Sequence, residues 1–152
     1  MGKETSLEVN PDEVPIKPGK KLDANTDLGD IDVFAIDHEA AIIYSIECKD
    51  TVDSRAIHEM KTEVDKYLGR DGKSGLIKKH VDRHKWLKEN QAMLSAYVKN
   101  PNSYSIKSLI ITSEEIPLAY IKKDVLPMPM ISFPKLRIIE KLKLRAFLKD
   151  IK

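Results

Sequence analysis

Two runs of β-branched and aromatic residues, Ile31 to Ile36 and Ala41 to Cys48, are separated only by the polar stretch Asp37-His38-Glu39, and no other feature constrains the fold as much. Strand-forming runs on either side of a short polar break read as a β-hairpin. Successive strand residues point to opposite faces. Asp30 and Asp32 therefore share one face of the first run, Glu47 and Lys49 share one face of the second, and Ile46 and Cys48 point the other way. A turn centred on Glu39-Ala40 pairs Asp37 with Ile42 and sets Asp32 opposite Glu47. The two carboxylates then stand about 5 Å apart at their Cβ atoms, and like charges facing each other across strands are destabilising. A divalent cation resolves the conflict. Carboxylate and backbone carbonyl oxygens suit hard ions, and Mg²⁺ takes only one or two carboxylates beside water and substrate phosphate.

The rest of the chain supplies an α/β frame for this hairpin. Ser54 to Leu68 places Ile57, Met60, Val64 and Tyr67 at helical spacing, behind Asp53 or Ser54 as N-cap and with Gly69 as stop. A second, longer helix is expected from about Leu76 to Val98, with Ile77, Val81, His84, Leu87, Leu94 and Val98 on its apolar stripe. Ser105 to Thr112 reads as a buried strand and Met130 to Phe133 as a short one. Pro134 stands at a favourable first position for a last helix reaching about Lys149. The order argues for a mixed sheet with helices packed on it. Residues 1–27, with Pro11, Pro15, Pro18 and Gly19, show no sustained period and read as an N-terminal arm or linker, leaving 28–152 as the α/β domain.

Composition narrows the class. The chain of 152 residues has a single cysteine, Cys48, so no internal disulfide is available and a reducing, cytoplasmic setting is expected. No run approaches the roughly 20 apolar residues that span a bilayer, so no membrane partner is expected. Net charge is only +2, yet residues 1–50 carry 12 acidic against 5 basic side chains while the remainder carries 12 against 21. A basic second half beside an acidic cluster suits a phosphate-backbone binder with a cation site.

Gly29-Asp30-Ile31-Asp32, an apolar strand, and then Glu47-Cys48-Lys49 together resemble the PD-(D/E)xK nuclease superfamily, which has the restriction-endonuclease-like fold. The similarity is closest to the Holliday-junction-resolvase-like branch, with its G-E-x-D and E-x-K strands, and it covers residues 28–68. The resemblance implies a restriction-endonuclease-like mixed β-sheet flanked by helices and a Mg²⁺- or Mn²⁺-dependent endonuclease acting on DNA. It assigns Asp32 and Glu47 to the metal, the Cys48 backbone carbonyl as a further ligand, and Lys49 as the catalytic lysine. Asp30, where many relatives carry glutamate, takes an accessory part. Lys61 in the first helix and Lys79 and Arg83 in the second are candidates for phosphate contacts. His80 and His84 lack the glutamate of H-E-x-x-H, which argues against a zinc-protease site.

The pattern departs from the family at its start, where a helix usually precedes the aspartate strand. Either the chain is a piece of a larger protein or the arm supplies an irregular substitute. Two rival readings stand beside the nuclease: a non-catalytic nucleic-acid-binding or assembly module with the same fold, and a hairpin whose charged faces are only solvated. Whether a homodimer is needed to cut both strands stays open at this point.

Overall fold

A computed structural model describes residues 7–51, 56–116, 118 and 128–135. Its strands are β1 (Leu7–Val9), β2 (Val14–Pro15), β3 (Asp30–Ile31), β4 (Val33–Asp37), β5 (Ile42–Lys49), β6 (Gly69–Arg70), β7 (Lys73–Ser74), β8 (Ser105–Thr112) and β9 (Met130–Ser132). The helices are α1 (Ile57–Leu68) and α2 (Lys78–Glu89), followed by 3-10 turns at Gln91–Ala96 and Pro101–Ser103. The main sheet runs in the order β1-β4-β5-β8-β9 and is mixed, with β1, β4 and β5 antiparallel and β8 parallel to β9. The protein is thus α/β, built on a central mixed sheet of five strands.

The hairpin forms in the expected register, with Asp37 opposite Ile42 and Val33 opposite Ile46. The Asp37 side chain closes the turn by accepting a hydrogen bond from the Ala40 amide at 2.8 Å. Phe34, Ala35, Ile36 and Asp37 are all buried, which marks β4 as a strand covered on both faces.

Two compact units divide the chain: Met1–Glu47 with Asp82–Ser108, and Cys48–Val81 with Leu109–Lys152. In the first unit, Val14, Ile16, Leu22, Phe34, Ile43 and Leu87 belong to one apolar core. The N-terminal segment is largely irregular, as expected, yet from Leu7 onward it is not a free arm. β1 pairs with β4, β2 pairs with β3, and Ile16 bridges to Leu22. Val14, Ile16, Leu22 and Ala24 are each at most 2% exposed, so this stretch forms one wall of the core.

In the second unit, Tyr67, Ile77, Ile110, Ile116, Leu118 and Met130 make a separate core. The Glu59 side chain caps the start of α1 by accepting from the Ala56 amide at 3.0 Å. Ile57, expected on the apolar stripe, is 86% exposed, and the helix anchors through Tyr67 instead. β6 and β7 close over Asp71-Gly72, both at positive φ, as a tight two-residue hairpin needs. Gly75 packs so closely under the end of α1 that a Cβ there would lie 2.0 Å from the Tyr67 carbonyl oxygen.

The second helix ends at Glu89 rather than Val98. The Asn90 amide turns back onto the Trp86 carbonyl at 2.9 Å, and Gln91 donates to the carbonyls of Pro101 and Tyr104 at 2.7 and 2.6 Å. Those side-chain bonds hold the chain in a 3-10 turn where an α-helix would have continued. The expected caps Asp53 and Ser54 and nearly all of the expected last helix lie outside the described residues.

Candidate functional site

The strand read as continuous from Asp30 breaks at Asp32. Gly29 has a φ of 81°, Asp30 and Ile31 pair with Pro15 and Val14 in a ladder of their own, and Asp32 forms the bend into β4. The Val33–Ile46 pair is the last of the hairpin ladder, and one further step along each strand leads to Asp32 and Glu47. Asp32 is half-buried and Glu47 is buried.

The break separates the two aspartates that were expected to act together. Asp30 forms an ion pair with Lys17 at 2.9 Å, and that hydrogen-bonded carboxylate holds the Lys17 pKa above its usual value. An accessory role for Asp30 would require this pair to open.

Glu47 is held from α2. The Arg83 guanidinium forms an ion pair with the Glu47 carboxylate through one terminal nitrogen, while the other donates to the Leu28 carbonyl at 2.9 Å. The side chains of Arg83 and Glu47 are 3% and 8% exposed, so this is a buried charge pair. Arg83 was expected to meet backbone phosphates; in the structure its guanidinium is buried and bonded to Glu47 and Leu28. The charge conflict around Glu47 therefore has a counter-ion within the protein, and a divalent cation is not the sole way to resolve it. Lys61 and Lys79 are exposed, as contacts to phosphate would require.

A signal for Arg83 was present in the sequence. It lies three residues after His80 and four before Leu87, on the stripe that also carries Ile77, and all four are buried. A charged residue on a buried stripe needs a paired charge. His84, one position further, is half-buried with its Nδ1 2.8 Å from the Ser108 hydroxyl, and burial followed by the nearby Lys88 lowers its pKa.

Lys49 and the Cys48 carbonyl follow Glu47 along β5, with Lys49 half-buried and Cys48 exposed on the alternate face. The segment after Lys49 is tied to the end of β8. The Ser113 amide donates to the Lys49 carbonyl at 3.0 Å, the Ser113 hydroxyl donates to Asp50 at 2.9 Å, and the Thr51 amide donates to the Ser113 hydroxyl at 2.8 Å. The Glu114 amide completes the clasp by donating to the Thr51 hydroxyl at 3.0 Å. Asp50, Thr51, Ser113 and Glu114 do not stand out in the sequence, because the partners lie more than sixty positions apart.

Beside this clasp is a cleft of about 260 Å³ lined by Asp50, His58, Glu59, Glu63, Lys66 and Tyr67, among others. Its three carboxylates make it a poor place for a phosphate. Burial, then Glu63 and Asp50, push the Tyr67 pKa up to about 12. A raised pKa favours the neutral folded phenol, so its stabilisation is complete below the unfolded value near 10 and disappears as pH rises toward 12. The unfolding free energy of the native chain should fall by roughly 2–3 kcal/mol more than that of Tyr67→Phe between pH 9 and 12, measured by urea unfolding. Equal losses would show that the phenol is not the group responsible.

Among the described residues no group of three or more His, Cys, Asp or Glu side chains is placed to hold a metal ion, and no helix is long and apolar enough to cross a membrane. The fold and these residues define an α/β protein with a buried carboxylate–guanidinium pair at the head of a hairpin. A family model described as "Anti-phage protein Upx-like" matches residues 13–131, and the chain belongs to that Upx-like anti-phage family. No curated protein and no solved structure matches it.

Proposed function

We propose that the chain is a metal-dependent nuclease with a restriction-endonuclease-like fold, hydrolysing phosphodiester bonds in DNA in the cytoplasm. The observation that carries this reading is the hairpin register, whose last pair, Val33–Ile46, is flanked by Asp32 on one strand and by Glu47 and then Lys49 along β5. An anti-phage family is compatible with an attack on nucleic acid.

The donors fit a hard cation in kind, since two carboxylates and the Cys48 carbonyl offer only oxygen. Arg83 would orient Glu47, as ligand-supporting hydrogen bonds do, while weakening the hold on the ion by its own charge. Bound to Asp32 and Glu47, Mg²⁺ or Mn²⁺ would supply Lewis acidity toward a phosphoryl oxygen. Lys49 would place its ammonium against the charge that develops on phosphorus and orient the attacking water, and exposed Lys61 and Lys79 would hold flanking phosphates.

A second reading has its own support. The buried Glu47–Arg83 pair already satisfies the carboxylate, as in a non-catalytic module that keeps the hairpin for structure. The two readings separate when the protein meets plasmid, linear, single-stranded and branched DNA in Mg²⁺ or Mn²⁺, beside Lys49→Ala and Asp32→Asn. Cleavage by the native chain alone is the expected result. Cleavage that persists in both variants, or that no substrate elicits, overturns the nuclease. Salt-sensitive binding without cutting supports the module.

A further inference from the structure

The first unit carries a second cleft, at the end of β4 opposite Asp32. It encloses about 390 Å³ between the turn residue His38 and the stretch from Tyr97 to Tyr104. That volume lies within the roughly 300–1,000 Å³ typical of small-molecule sites. Its lining includes two phenol rings, an imidazole, the Lys99 ammonium and the Asn100 amide, and no carboxylate.

The walls are held in place before any ligand arrives. Gln91 pins the loop through the carbonyls of Pro101 and Tyr104, and Ser103 closes it by donating through its amide and hydroxyl to the Asn100 carbonyl at 3.1 and 2.7 Å. Tyr97 packs against Phe34 with ring centroids 5.0 Å apart. The Tyr104 hydroxyl meets His38 Nδ1 at 3.0 Å, and His38 Nε2 donates to Glu8 at 3.1 Å. Because a carboxylate only accepts, Nε2 is the donor to Glu8, and Nδ1 is left facing the Tyr104 hydroxyl. The phenol is thereby fixed at the rim, and a preorganised ring binds with less loss of conformational freedom.

We propose that this cleft binds one nucleoside phosphate, with Tyr104 as the stacking ring, Lys99 on the phosphate and Asn100 on a polar edge of the base or sugar. Stacking on an aromatic side chain tolerates any base, and a lysine ammonium suits a phosphate as a point charge. The ligand could be a free nucleotide or one residue of a single strand, since both present the same chemistry. The inference stands apart from the nuclease reading and does not require it.

The test uses the full chain, isotopically labelled and kept in EDTA so that no divalent ion contributes. Nuclear magnetic resonance follows titration with thymidine 5′-monophosphate, thymidine, inorganic phosphate and an oligothymidylate of roughly ten nucleotides, a length typical of single-strand sites. Saturable shifts confined to His38 and residues 97–104 are expected with the monophosphate or the oligomer, and which of the two binds more tightly identifies the source. Lys99→Ala and Tyr104→Leu should each weaken binding about tenfold, while Tyr104→Phe should bind nearly as well as the native chain, with folding checked by thermal melting. The proposal is overturned if the cleft resonances do not move, if inorganic phosphate binds as well as the nucleotide, or if both weakening variants bind like the native chain. Any of these outcomes leaves the Asp32–Glu47 reading untouched, because cleavage is measured separately and with metal.

Discussion

Replacing Arg83 with methionine is expected to lower the stability of the fold by about 3–5 kcal/mol, because it removes the guanidinium bonded to the buried Glu47 carboxylate. For a chain of this size that is a fall of roughly 10 °C in Tm. The Leu28 carbonyl would lose its donor as well. Glu47→Gln in the same background should recover much of the loss, since a neutral side chain of similar volume is far cheaper to bury than a carboxylate that has lost its guanidinium. The variant also bears on the metal. If Glu47 can ligate a cation, Mg²⁺ or Mn²⁺ should raise the Tm of Arg83→Met more than that of the native chain, by linkage of about 2.7 kcal/mol at one hundred times Kd. Rescue by Glu47→Gln with no response to either ion would make the pair purely structural. A variant as stable as the native chain would mean that Glu47 is satisfied without Arg83.

These contrasts show where the sequence could be read and where it could not. The hairpin register was legible because two strand-like runs flank a four-residue loop, and a slip of one residue would turn Phe34 and Ile36 out of the core. β8 was legible for the same reason, as an apolar run bounded by polar residues, and its observed limits are Ser105 and Thr112. The N-terminal strands were not. Leu7–Val9 and Val14–Pro15 are too short to carry a period, and they exist only because β4 and β3 offer them partners far along the chain. The bend at Asp32 escaped notice because alternation extends across it without interruption in the sequence. The candidate site divides in the same way. Asp32, Glu47 and Lys49 followed from local alternation, whereas the Glu47–Arg83 pair and the Thr51–Ser113 clasp depend on contacts between residues 36 and 62 positions apart. The stripe expected through Val81 and His84 leaves Arg83 off it, and nothing local named its partner.

Lys49→Ala is expected to slow DNA cleavage by about 10²–10³-fold while changing substrate affinity little, because the ammonium is proposed to act on charge that grows only in the transition state. Asp32→Asn should fail differently. It removes one of two carboxylates, so its defect should be largest at low metal concentration and should shrink as Mn²⁺ is raised, whereas no amount of metal should repair Lys49→Ala. The clasp from Ser113 to Lys49 and Thr51 holds the chain at the end of β5, so the alanine variant should fold normally and allow a kinetic reading. Since both residues serve one step, the double variant should be scarcely slower than the worse single one. Single-turnover rates over a metal titration measure all of this. A Lys49→Ala defect that appears wholly as weaker DNA binding would make the lysine a phosphate contact. An Asp32→Asn rate that reaches half its maximum at the same metal concentration as the native rate would exclude the aspartate as a ligand.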